Sequence, residues 1–160
     1  MLIILEGLVN ASWLLLVCVI CTAYGPAGMA VFYEKNVQER VISLGFTTTE
    51  KLKTAGTLSV IAIFVPQLTV FPLLVFLFNG TTGFLDSFLQ LTCVYLIAGL
   101  FDRLFIDEWW VSHTKAWIIP GTEDLMPYIP KEAKIKKWAG TLIGFPLLAA
   151  IIAGIAQLFR

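Results

Sequence analysis

The sequence predicts an all-α, polytopic transmembrane helix bundle of four spans, with an interfacial helix and a structured cytoplasmic loop. Three observations carry that prediction. Hydrophobic residues make up 58% of the 160 positions and charged residues 14%, a balance far from that of soluble domains. Four apolar runs, 8–33, 57–78, 84–101 (extending towards 113) and 138–159, approach or exceed the ~20 helical residues that cross a bilayer. The basic charges are also segregated: ten of the eleven Lys and Arg lie in segments 34–56 and 102–137, and only Arg160 lies elsewhere. One membrane domain over 1–160 is the expected organisation. Eleven acidic residues balance eleven basic ones, so net charge offers no case for a nucleic-acid partner. The partner implied is the lipid bilayer.

Each element has a local reason. The first run has no Lys or Arg ahead of it and carries Glu6 where a signal peptide would have a basic region, so it reads as a retained span. Gly25-Pro26 predicts a kink within it, because Pro removes a backbone hydrogen bond and crowds the preceding turn. In 34–44, Val37, Val41 and Leu44 share one helical side, which predicts a short interfacial helix ended by Gly45. Thr47 and Glu50 have capping-box spacing and open the next helix. Pro66 and Pro72, with Gln67 between them, predict a bent or locally unwound second span whose freed carbonyls need partners inside protein. Asn79-Gly80 marks a tight turn, making spans two and three an antiparallel hairpin.

Span three continues past Asp102 without a helix breaker. On one continuous α-helix, Asp102, Ile106, Trp109 and His113 would align, and Arg103 would pair with Asp107 at i, i+4. Pro120-Gly121, Pro127 and Pro130 then predict an irregular loop folded back across the cytoplasmic face. A basic helix start follows from Lys131, with Glu132 and Lys136 spaced for a pair. In the fourth span Gly140 and Gly144 form a GxxxG, which favours close helix contact. That contact is either internal or the seam of a homo-oligomer or larger membrane complex.

Charge asymmetry sets the expected orientation. Basic segments stay cytoplasmic, so both termini are expected outside, and Trp109, Trp110, Trp117, Trp138 and Tyr128 form an aromatic belt at the same level.

The stretch 102–124 concentrates what chemistry the chain has: the only His, Arg103, three of the five Trp and five of the eleven carboxylates. Asp102, Asp107 and His113 are candidate ligands for a divalent cation, with Glu108 or Glu123 as general base, in a metal-assisted enzyme acting on a lipid phosphate. Arg103, Lys115, Lys134, Lys136 and Lys137 are candidate lipid-headgroup or partner contacts. The plainer reading is that these are interfacial charges pairing with one another. The spacing has no HExxH and no zinc-type Cys or His pair. Cys18 and Cys21 form a CxxC within a span and suggest a quinone-linked thiol redox protein, although a buried thiol without a base stays unreactive. The proline-broken span suggests a small transporter, without an internal inverted repeat to support it. A small integral membrane protein of accessory or binding type, using a cytoplasmic-face polar site to contact headgroups, a cation or a partner protein, accounts for most of these features.

Asp102, Asp107 and Trp110, followed by Ile119-Pro120-Gly121-Thr122-Glu123, resemble a loop of small uncharacterised bacterial polytopic membrane proteins. The likeness covers only that stretch. It implies a bacterial cytoplasmic membrane and no particular activity.

Overall fold

The structure, a computed structural model, describes residues 2–159. Among them every regular element is a helix. The order is α1 (Leu2–Ala23), α2 (Pro26–Ala30), α3 (Lys35–Ser43), α4 (Thr49–Leu68), α5 (Val70–Leu77), α6 (Phe84–Phe101), a π-helix (Asp102–Val111), two 3-10 turns (Lys115–Trp117 and Glu123–Leu125), α7 (Lys131–Ala139), a π-turn (Gly140–Gly144) and α8 (Phe145–Gln157). Four helical stretches are long and apolar enough to cross a membrane: Leu2–Ala23, Thr49–Leu77, Phe84–Val111 and Lys131–Gln157. Their outward faces are apolar, with Ile4, Leu58, Leu85 and Ile143 each at least 60% exposed. Such faces suit hydrocarbon rather than water as the surrounding medium.

α6 is the central element, with α1 packed along one flank and α8 along another. Its inward face buries Leu91, Val94, Tyr95, Ala98 and Gly99. Two lone glycines set these contacts. A Cβ on Gly7 would lie 2.7 Å from Ile97 Cδ1, and one on Gly99 would lie 2.6 Å from Phe145 Cε2. The internal-packing role expected of Gly140 and Gly144 is not found. A Cβ at either would meet nothing within 4 Å, because both face away from the bundle.

The helix ends follow the sequence with shifts of register. α1 starts at Leu2 and stops at Ala23, earlier at both ends than the run 8–33 suggests. Gly25, at φ 72°, makes the corner into α2 that Gly25-Pro26 predicts. α3 closes with a Schellman motif: Gly45 N–H donates to Ile42 O at 2.9 Å and Phe46 N–H to Val41 O at 3.2 Å, with Gly45 at φ 78°. The cap of α4 is Thr48, one residue beyond the expected Thr47, and its side chain accepts from Lys51 N–H at 3.3 Å. The second span breaks at Thr69, where φ −123° and ψ −67° separate α4 from α5. The 79–83 turn, with Gly80 at φ 64°, then returns the chain into α6.

Candidate functional site

α6 runs unbroken into the π-helix. A π-turn bonds i to i+5, so side chains five apart recur on one side. Asp102 and Asp107 therefore reach the same guanidinium, and Arg103 is ion-paired with both. The other Asp107 oxygen accepts from Lys137 Nζ at 2.8 Å. This group is largely withdrawn from solvent, with the Asp107 side chain 11% exposed and that of Arg103 12%. Two carboxylates against one guanidinium and one ammonium leave it formally neutral. At the next residue, Glu108 Oε2 accepts from Lys134 Nζ at 2.6 Å. α7 supplies both lysines, so these pairs clamp the start of the fourth span to the end of the third.

The same geometry overturns the expected ridge of Asp102, Ile106, Trp109 and His113. Ile106 and Asp107 are buried, whereas Trp109 is 54% exposed and His113 lies open. The wider turn rotates later residues away from α-helical register. Polar side chains at the end of the π-helix bond backward across the same interval. Ser112 Oγ donates to Asp107 O at 2.7 Å, and His113 Nδ1 donates to Glu108 O at 2.6 Å.

Beyond Val111 the loop folds over α2 and α3. Trp117 is 1% exposed, with Phe32, Tyr33 and Trp110 all edge-on to its ring. Tyr33 stacks on Tyr128 at 4.4 Å and donates its hydroxyl to Trp117 O at 2.8 Å. Burial holds the Tyr33 phenol above its ordinary pKa range, with Tyr128 adding to the shift, so it remains a donor. Ile119 N–H donates to the Tyr128 hydroxyl at 3.3 Å, that hydroxyl to Thr122 Oγ1 at 2.7 Å, and Thr122 back to Ile119 O at 2.8 Å. Glu123 Oε2 accepts from Gly121 N–H at 2.8 Å. Arg40 grips both Asp124 oxygens, at 3.2 and 3.1 Å, and ties the loop to α3. Glu123 and Asp124 are thus engaged in holding the loop.

Asp102, Asp107 and Glu108 all meet cations, and His113 meets a backbone carbonyl. Among the described residues, no three His, Cys, Asp or Glu side chains are gathered to hold a metal ion. Of the candidate headgroup contacts, Arg103, Lys134 and Lys137 are held in ion pairs. Lys115 and Lys136 are exposed and have no ion-pair partner among the described residues, and neither has Lys131. The expected Glu132–Lys136 pair is not formed. No family model, curated protein or solved structure matches this chain.

A second polar cluster lies among the spans, and it was not anticipated as a unit. Asn10 and Gln67 exchange amide bonds at 3.0 and 2.6 Å, both fully inside. Tyr95 donates its hydroxyl to Gln67 O at 2.5 Å. Pro66 has no N–H for the Ala62 carbonyl, and the Trp13 indole donates to that oxygen instead, at 2.8 Å. One turn from Asn10, the buried Glu6 accepts from Asn79 Nδ2 at 2.9 Å, and Asn79 also donates to Gln90 Oε1 at 3.0 Å. Proline in the second span was the available signal; which side chains would serve the freed carbonyl depends on helix register that the sequence does not display. Cys18, Cys21 and Cys93 are free thiols, with Cys21 Sγ 3.5 Å from Ser59 Oγ.

Proposed function

We propose that the chain is an accessory membrane protein whose basic end lies in the cytoplasm and contacts anionic lipid headgroups there. Orientation rests on the ten-to-one distribution of Lys and Arg. The observation that carries the reading is an imbalance within the candidate site. Its carboxylates are engaged by Arg103, Lys137, Lys134, Arg40 and the loop backbone, whereas Lys115, Lys131 and Lys136 remain exposed. Beside them, among the described residues, only Glu132 is an acid without an ion pair on α7, so three free ammonium groups against one carboxylate, next to the end of an apolar span, leave a positive surface suited to phosphate. Each such Lys contributes about 1 kcal/mol at an anionic membrane surface.

The test compares thermal stability in nanodiscs of phosphatidylglycerol and of phosphatidylcholine. The wild type should melt higher in the anionic lipid, with an advantage that shrinks as salt rises. Replacing Lys115, Lys131 and Lys136 together by Gln should remove the advantage while leaving the melting point in phosphatidylcholine unchanged. An advantage that survives the triple substitution would refute this reading.

A further inference from the structure

A groove of about 700 Å³ runs between α1–α2 and α4, lined by Val17, Ile20, Leu58 and Ala62, with Glu50 and Lys51 at its mouth. It lies apart from the 102–124 face. From Lys51 to Ala62 it follows α4 for eleven residue steps, roughly 16 Å at the helical rise. That is about half of the ~30 Å hydrocarbon core, the depth of one leaflet. Its mouth has both signs of charge. Glu50 and Lys51 are exposed, and neither has an ion-pair partner among the described residues. The groove stays open because small side chains, Ala27 and Ala55, stand where larger ones would close it.

We infer that this groove holds one phospholipid with a phosphoethanolamine headgroup. One acyl chain lies along Val17, Ile20, Leu58 and Ala62, the phosphate meets Lys51, and the primary ammonium meets Glu50. Length selects an acyl chain, and the paired charges select a zwitterionic headgroup. The ammonium has N–H donors for the carboxylate, which a trimethylated headgroup lacks. A headgroup ending in glycerol has no cation for Glu50.

The experiment is native mass spectrometry of the full chain released from vesicles containing equal parts phosphatidylethanolamine, phosphatidylglycerol and phosphatidylcholine. The wild type should retain one phosphatidylethanolamine in preference to either other lipid, by about threefold, the scale of an exposed ion pair. Glu50→Gln should bring phosphatidylethanolamine down to parity with phosphatidylglycerol. Ala55→Phe, which fills the groove, should abolish the retained lipid, and Leu58→Trp provides the same obstruction at a lipid-facing site if Ala55→Phe does not fold. Equal retention of all three lipids by the wild type, retention of none, or an unchanged adduct in both filled variants would overturn the inference. These variants leave Lys115, Lys131 and Lys136 in place, so the nanodisc comparison above stands or falls separately.

Discussion

The molecule keeps polar groups inside an apolar bundle in several places, and two of them solve the problem differently. At the basic end, Asp102, Arg103, Asp107 and Lys137 form a neutral ionic group. Deeper among the spans, Asn10, Gln67, Tyr95 and Trp13 satisfy one another and the backbone without any formal charge. Ions cost most where water is farthest, so charged pairing belongs at the edge and amide pairing in the interior. The difference also separates their roles. The ionic group joins α7 to the π-helix, so it fixes where the fourth span begins. The amide group sits where α4 gives way to α5, so it holds a broken helix in place.

The largest effect should come from opening the ionic group. Asp107→Ala leaves Arg103 and Lys137 with Asp102 as the only remaining carboxylate of the group, and breaking such a withdrawn pair costs about 3 kcal/mol. Unfolding in mild detergent should show that loss. Adding Arg103→Met should recover part of it, since removing both members of a pair leaves less uncompensated charge. A loss below about 1 kcal/mol, the range of an exposed surface pair, would place this group with ordinary surface charges and erase the contrast.

The amide group should lose less. Gln67→Ala deprives Asn10 of both its bonds, and interhelical polar pairs of this kind contribute about 1–2 kcal/mol at most. Gln67→Leu, which keeps volume, isolates the hydrogen-bond part. Because both groups here are neutral, the loss should hardly vary with salt, and a strong salt dependence would count against purely amide pairing.

The two places also differ in how much of them could be read beforehand. The ionic end was legible in kind: Arg103 and Asp107 are four apart and pair as that spacing implies. What the sequence did not display is the π-helix. Its residues, DRLFIDEWWV, include no Pro or Gly to announce a change of period. An α-helical extrapolation therefore carried His113 to the wrong side and missed that Asp102 and Asp107 share a partner. In the interior, the prolines foretold a broken span, and α4 does end at Leu68. The partners were hidden because Asn10 and Gln67 stand 57 residues apart and meet only through packing of α1 on α4. The glycines were partly legible. GxxxG is visible as a pattern, yet a Cβ at Gly140 or Gly144 would touch no other helix, and the close helix approaches within the chain are made by Gly7, Gly28 and Gly99, each alone in its helix and defined by the partner helix it meets.

The smallest effect gives the sharpest test of how the broken span is held. Trp13→Phe keeps the apolar ring but removes the indole N–H from the Ala62 carbonyl, a loss of about 1 kcal/mol. That carbonyl needs Trp13 only because Pro66 cannot donate to it. In a Pro66→Ala background the new backbone N–H can take the carbonyl back, so the same Trp13→Phe change should then cost almost nothing. The coupling between the two substitutions is the quantity of interest, and a double-mutant cycle measures it directly. If Trp13→Phe costs the same with proline or alanine at that position, the indole contributes through packing alone, and the interior is held by the Asn10–Gln67 exchange and the Tyr95 bond. If the cost disappears with alanine, one tryptophan is the interhelical substitute for the hydrogen bond that proline removed.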